Sequence, residues 1–588
     1  MKKRSASTTG TRSKRRFCWQ QRAACVILAM LITAALAAGC RKVEGRLLRV
    51  GLASEPKTLN VWLASDASSR AVLRLVYHCL YERDPETLAF VPWLAESLPV
   101  YDPAGKTYTI RLRQARWSDG RPLTSADVAF TVRLIKEFKT PGCSRWKYVL
   151  RVETPDPHTV VFRLKKNFAT FLSRTLQISI LPAHKWKSVA NAARHAQKPL
   201  AALMRFKNEA PVSSGPFVVR QWRKGAYVYL TRNPYFFGKD KTIAGRRLGP
   251  SIDGVLFKFY GTTDVAMLAL RKGEMDMYWH HIQPGYMSVL QKNPHIRIVN
   301  SPKSAIYFMG FNTRRPPFDD VALRKAVEVL VDKQFIVKRL LQGRGSEMWS
   351  VIPEGNKRWY NPGLPRPGQG LNRKQRIKLA FRILSSAGYS WKKPPLDATG
   401  RITSRPGELL TPDAKPMAPF TILTPPADYD PARAISGTMI QEWLREIGMP
   451  AMARPMEFGA LIQQVKVRRN FDAFILGYGR LPLDPDYLRS FFHSRNDRPR
   501  GWNISGYHNP EFDRLATAAQ REMDPEKRRR LVFAMQAIIA ADVPYLPLYL
   551  PTLNEAVRTD RFTGWVPMLD GIGNRWSFCL LKAAKGGK

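Results

Sequence analysis

The chain has 588 residues, 44% of them hydrophobic and 24% charged, and its formal net charge is +49. That length exceeds an ordinary single domain, so several lobes with separate cores are expected, and the balance of apolar and charged residues excludes a disordered, collagen-like or multi-span membrane chain. So positive a charge favours anionic surfaces and acidic ligands, but Lys and Arg are spread along the chain and neither an RNA-recognition signature nor a zinc-finger spacing occurs, so nucleic acid is not an expected partner.

Residues 1–39 contain Lys2, Lys3, Arg4, Arg12, Lys14, Arg15, Arg16 and Arg22 with no acid, and an apolar run extends from Ala23 to Ala38. A basic stretch followed by a short apolar one is the pattern of a secretory signal, whereas a bilayer span needs about 20 apolar residues. The run ends in Leu36-Ala37-Ala38-Gly39-Cys40, which resembles the lipobox of bacterial lipoproteins. The resemblance implies lipidation of Cys40 and a membrane tether carried by several acyl chains. Without the leader's eight basic residues the charge is +41. Cys79, Cys143 and Cys579 remain in the mature chain, enough for at most one intramolecular disulfide, and no Cys-x-x-Cys spacing points to a zinc ribbon.

Along the mature chain, strand-like and helix-like segments alternate without a repeating period, which predicts a mixed α/β class. Strands are expected at Arg46–Leu52, Tyr108–Leu112, His158–Leu164 and Asp253–Tyr260. A helix is expected over Thr124–Phe138, where Thr124 caps, Asp127 completes a capping box, and Val128, Val132 and Ile135 share a face. Trp391–Pro416, rich in Pro, Gly, Lys and Thr, reads as a surface excursion. Asp430-Pro431 opens a second helix with Ile435, Met439, Trp443 and Ile447 as its core stripe and Gly448 as its stop, and Asp524-Pro525 opens a third with Leu531, Met535, Ile538 and Ile539 apolar.

A series of segments then falls in a telling order. These are Glu55-Pro56-Lys57-Thr58-Leu59-Asn60, Trp93-Leu94-Ala95-Glu96-Ser97, Tyr108-Thr109-Ile110-Arg111-Leu112-Arg113 and Trp117-Ser118-Asp119-Gly120-Arg121-Pro122-Leu123-Thr124. Further on come Ser214-Gly215-Pro216-Phe217, Arg232-Asn233-Pro234-Tyr235, Gly273-Glu274-Met275-Asp276, Phe311-Asn312 before Pro317-Phe318-Asp319-Asp320, Gly506-Tyr507-His508-Asn509-Pro510-Glu511-Phe512-Asp513, and Asp542-Val543-Pro544-Tyr545-Leu546-Pro547-Leu548-Tyr549. Together they resemble the peptide/nickel family of ABC-transporter solute-binding proteins, family 5, from about Arg46 to about Pro567. The resemblance implies a two-lobed periplasmic-binding-protein fold, type II and cluster C-like, with an extra subdomain in the first lobe. By that scheme residues 40–75, 205–300 and 541–588 build lobe I, 76–204 the extra subdomain and 301–540 lobe II, with crossings near Ile296–Asn312 and Ala540–Leu550. It also implies that a peptide-like solute is captured between lobes that close by hinge motion and is delivered to ABC permease and ATPase subunits by a monomeric, lipid-anchored receptor.

One segment departs from the family. Peptide binders carry Trp-x-Ala-Asp-Tyr, whose Asp pairs with the ligand's α-ammonium; here the stretch is Gly477-Tyr478-Gly479-Arg480-Leu481-Pro482-Leu483-Asp484-Pro485-Asp486-Tyr487, with Leu481 at the Asp position. Asp484 and Asp486 either substitute for it or simply form a turn around Pro485. The candidate ligand-binding residues are therefore Tyr478, Arg480, Leu481, Asp484 and Asp486, with Tyr307 and Asn312 from the first crossing. No catalytic residue is expected, because Gly-x-Ser-x-Gly, His-Glu-x-x-His and P-loop patterns do not occur. His280-His281 is the one adjacent histidine pair and the only opening for a metal-chelate receptor, although adjacent side chains on a strand face opposite ways. No metal or other cofactor is assigned, and a sensory or chaperone lipoprotein of the same fold stays open.

Overall fold

Leu47–Leu52 is apolar at alternate positions, and Leu48, Val50 and Leu52 are buried, as expected for a strand packed into a sheet. In the computed structural model, which describes residues 46–403 and 406–584, this strand lies at the centre of a seven-stranded mixed sheet. The order is Phe217–Arg223, Tyr227–Arg232, Gly254–Phe259, Leu47–Leu52, Met277–Tyr278, Leu553–Arg558 and Ile296–Ser301. The expected leader and Cys40 lie outside the described residues. The other three strands read from the sequence are present as Thr107–Arg111, Thr159–Leu164 and Gly254–Phe259.

Inserted in this first lobe is a small subdomain, an antiparallel sheet in the order Val100–Asp102, Thr107–Arg111, Thr159–Leu164, Val149–Asp156. The helix Ser125–Glu137 packs on it, with the Thr124 and Asp127 capping box formed as expected. Subdomain and first sheet share one continuous apolar core.

The second lobe is built on a six-stranded sheet in the order Gly345–Glu347, Tyr545–Pro551, Ile306–Phe311, Ala473–Tyr478, Phe420–Thr424, Ala451–Pro455. Its two faces are covered by separate cores, one around Phe308, Phe474 and Tyr545 and the other around Met309, Ile475 and Leu546. Among the described residues the chain passes between the two large sheets twice, at residues 302–305 and at Thr552. The expected second crossing at Ala540–Leu550, and the expected return to lobe I at 541, are therefore corrected. Tyr545–Pro551 is an interior strand of the second sheet, paired with Ile306–Phe311 and Gly345–Glu347. Its near-continuous apolar run is buried on both faces, which only a central strand allows.

Helix Pro431–Arg445 starts at the Asp430 cap as expected, but its buried face is Ser436, Gly437, Ile440 and Leu444. Of the expected stripe, Ile447 is buried and Met439 and Trp443 pack against the same core, while Ile435 is exposed; Gly437 lies close against Thr424, where a Cβ would sit 2.4 Å from its methyl group. In helix Pro525–Asp542, Met535 and Ile539 are buried, while Leu531 and Ile538 are only partly so. The excursion after Trp391 is pinned by a short pairing of Ser390–Trp391 with Leu409–Leu410, and the buried Trp391 indole donates to the Ile447 carbonyl at 2.7 Å. Cys79, Cys143 and Cys579 are free thiols.

The Ser214-Gly215-Pro216-Phe217 motif has a direct structural use. The backbone N–H groups of Ser214 and Gly215 both donate to the Val76 carbonyl, at 3.0 and 2.8 Å, and so satisfy the C-terminus of helix Ala67–Val76. A Cβ on Gly215 would lie 2.1 Å from the Leu75 carbonyl oxygen, backbone that cannot move aside. Gly215→Ala should lower stability by about 3 kcal/mol, read as a lower urea midpoint, whereas Gly261→Ala, whose Cβ meets nothing within 4 Å, should not. Equal midpoints for the two variants would contradict this account of the motif.

Candidate functional site

The C-terminal end of strand Ala473–Tyr478, the start of Ile306–Phe311 and the end of Tyr545–Pro551 all reach the side of the second sheet from which the chain crosses to the first. Here the rings of Tyr307 and Tyr549 stack at 5.3 Å. Helix Pro431–Arg445 begins close by. Its cap, Asp430, accepts from the Arg433 backbone N–H and Nε, and the Arg433 guanidinium lies over the stacked rings of Tyr429 and Phe458. The crossing residue Ser304 donates from its N–H to Asp570 at 2.8 Å and from its hydroxyl to the Leu481 carbonyl at 3.1 Å.

Across the cleft, the first lobe presents helix Ala67–Val76 with Arg70 and Arg74 on one face, four residues apart. Arg74 donates to the Gly573 carbonyl at 2.6 Å and lies 5.9 Å above the Trp279 ring. Trp279 in turn stacks on Phe578 at 5.3 Å. This stacking requires Gly573, because a Cβ there would sit 2.0 Å from the indole. Arg70, Arg74, Trp279 and Asp570 of the first lobe enclose, with Gly479 and Arg480 of the second, a cavity of about 180 Å³.

Three guanidiniums thus face one small space with a single carboxylate among its walls. Burial is the larger cause and the Arg480 charge the next in pushing Arg74 down to about 10, and the same two causes lower Arg70. Like charges held together in this way favour an anion between them, and guanidiniums suit the planar, bidentate geometry of a carboxylate.

A model of bacterial extracellular solute-binding proteins, family 5, middle part, matches residues 89–499. The chain belongs to this family. It is 28% identical over 522 residues to the oligopeptide-binding protein AppA of Bacillus subtilis, covering 87% of this chain and 88% of AppA. The solved structure of AppA in complex with a nonapeptide aligns with a TM-score of 0.61 at 25% identity, over 92% of this chain and 99% of that one. NikZ of Campylobacter jejuni, solved in complex with Ni(L-His), shares the fold at a TM-score of 0.63 and 22% identity, over 90% of this chain and 97% of its own. The two-lobed architecture implied by the motifs is therefore that of the family, and this family 5 protein works outside the cytoplasm as the solute-binding component of an ABC transporter.

The sequence-derived candidates divide sharply. Arg480 lines the cleft cavity, whereas Tyr307 is not among its walls and stacks on Tyr549. Tyr478 is packed between Phe308 and Phe491 at 5.7 and 4.8 Å. Leu481 is 4% exposed within the second-lobe core, bonded through its backbone to Ser304, so it offers no surface to a ligand. Asn312 is buried at the far end of its strand, donating to the Phe471 carbonyl and accepting from Arg314.

Asp484 and Asp486 join the subdomain to the second lobe. Asp484 accepts two bonds from Arg528 at 2.8 Å and one from the subdomain's Ser173 at 2.6 Å; Asp486 pairs with Arg174 of the subdomain and with Arg489. Burial opposes ionisation of Asp484, but the Arg528 charge and these bonds outweigh it and hold the carboxyl below the usual range. Burial lowers both His280 and His281, the latter to about 4 with help from the Lys303 charge, and His281 Nδ1 accepts from the Asn554 N–H. Among the described residues no three ligating side chains converge on a metal position.

Sequence reading missed Arg70, Arg74, Trp279 and Asp570. The four-residue spacing of the two arginines was a visible signal, but which way that helix face looks depends on a sheet assembled from distant strands. Glu555 was also missed. It sits on strand Leu553–Arg558, accepts from the Ile572 N–H at 2.7 Å, and so braces the loop that carries Asp570 and Gly573. Burial pushes its carboxyl up to about 7, against the partial opposition of the Ile572 and Gly573 N–H groups. Because the folded value is raised, the stability tied to the neutral carboxyl is fully present below the unfolded value of 4.5 and is lost as pH rises through about 7. Glu555→Gln should match the wild type near pH 4 and exceed it at pH 8 by on the order of 3 kcal/mol. Parallel pH profiles of the urea midpoint would show that Glu555 does not carry this dependence.

Proposed function

We propose that the protein is an exported, lipid-anchored receptor that captures a carboxylate-bearing, peptide-like solute between its lobes and hands it to an ABC permease. The observation that carries this reading is the cavity in which Arg480 of one lobe opposes Arg70 and Arg74 of the other. An acidic ligand group bound there touches both lobes at once, so binding and closure are the same event, and the likeness to a nonapeptide-binding relative supports a peptide-like body for the ligand. The buried Leu481 has no carboxylate with which to hold a peptide's ammonium, so recognition rests on the acidic end.

Calorimetry with di- to pentapeptides tests the polarity of recognition. N-acetylation should leave affinity nearly unchanged, while C-terminal amidation, or Arg480→Ala with the free acid, should weaken it about ten- to a hundredfold, the range of a charged hydrogen bond. Tight binding of amidated peptides together with loss on acetylation would restore the ammonium mode and overturn this reading.

The tether rests on the basic leader, its short apolar run and the Leu36-Ala37-Ala38-Gly39-Cys40 ending. Cys40→Ser should move the protein from the membrane fraction to the soluble or unprocessed pool. An intact mass showing an unlipidated mature wild-type chain would refute lipid anchoring.

A further inference from the structure

Away from the cleft between the large sheets, a cavity of about 380 Å³ opens between the small subdomain and the second lobe. Phe90, Tyr101, Tyr108 and Leu172 wall it on the subdomain side, Trp359 and Met523 on the other. Its charged lining residues are Arg83, Arg358, Arg528, Asp484 and Glu522. Arg358 pairs with Glu526 at 3.8 Å, and Glu522 accepts from the Asp524 N–H at 2.8 Å. Asp484 is saturated, taking two bonds from Arg528, one from Ser173 and one from the Asp486 N–H. Glu82, the neighbour of Arg83 in sequence, is held by Arg575.

Arg83 makes no direct ion pair among the described residues, although the charges of Asp484 and Glu82 act on it from farther off. Its half-buried guanidinium lies 3.4 Å above the Phe90 ring and donates to the Leu88 carbonyl at 2.7 Å, but among the described residues no carboxylate stands within ion-pair distance of it. The hydroxyl of Tyr101, on the same side of the cavity, is buried without a partner. A guanidinium with spare N–H groups beside aromatic walls matches a ligand that has an acidic head and an apolar body, since the head gains charge-assisted bonds and the body leaves water.

We propose that this cavity is a second ligand site, for a small amphipathic organic anion such as an aryl carboxylate or sulfonate. Its walls belong to both lobes, so an occupant fastens the subdomain to the second lobe along the same seam as the Ser173–Asp484 and Arg174–Asp486 contacts. No residue of this site lines the cavity of Arg70, Arg74 and Arg480, so the two sites stand or fall separately.

The test uses two fluorescent probes of similar shape and different charge on the full mature chain: anionic 1-anilinonaphthalene-8-sulfonate and neutral N-phenyl-1-naphthylamine. Arg83→Gln should weaken the anionic probe at least tenfold and the neutral one less than twofold. Leu172→Trp, which fills the cavity from another wall residue and leaves Arg83 in place, should weaken both, and Arg480→Ala should leave both unchanged. Thermal melts confirm folding, and should Arg83→Gln not fold, Leu172→Trp against Arg480→Ala decides. Absence of saturable binding of the anionic probe, equal binding in wild type and Leu172→Trp, or loss only in Arg480→Ala would overturn the proposal.

Discussion

Ser304 sits in a connection of a few residues and is bonded to both lobes. Its N–H reaches Asp570 on the first-lobe side, its hydroxyl reaches the Leu481 carbonyl on the second, and the Asp570 N–H returns to the Pro302 carbonyl. Among the described residues, the other covalent passage between the two large sheets is Thr552. With two such short crossings, any rotation of one lobe against the other must be absorbed by a handful of backbone angles. The same bonds explain why Arg480 and Asp570 share one cavity: each lies close in sequence to a group anchored at Ser304.

Two electrostatic arrangements then act on that hinge in opposite senses. Along the subdomain seam, carboxylates and guanidiniums are matched, with Asp484 between Arg528 and Ser173 and Asp486 between Arg174 and Arg489. In the main cleft, Arg70 and Arg74 confront Arg480 with little compensation. A closed arrangement therefore draws cohesion from its periphery and repulsion from its centre, and an anion at the centre reverses the second without touching the first. The separation matters because the matched pairs are largely buried and weakly screened, whereas Arg480 remains exposed to salt.

Local devices were legible in the sequence because they are local. The Thr124 and Asp127 capping box, the Asp430 cap and the strands around Val50, Ile110, Phe162 and Val255 depend on neighbours a few residues away. The ordered motifs carried the family and its two-lobed plan because many weak matches were read jointly. The fate of Asp484 and Asp486 was not legible, since their partners Ser173, Arg174 and Arg528 come from remote segments, and a Pro between two acids reads equally as a turn or a site. Tyr545–Pro551 was misplaced for a related reason: an apolar run shows that a strand is central without saying in which sheet.

The order of strands in the first sheet also bears on how the molecule comes into being. Leu553–Arg558 lies between Met277–Tyr278 and Ile296–Ser301, so Ile296–Ser301 has no neighbour in that sheet until almost the whole polypeptide has been made. A chain that emerges from a ribosome or a translocation pore N-terminus first cannot finish its first lobe early and protect it. The last strand acts as a late fastener. Until it arrives, the lobe has an open edge and the chain remains loose enough to be threaded through a narrow channel.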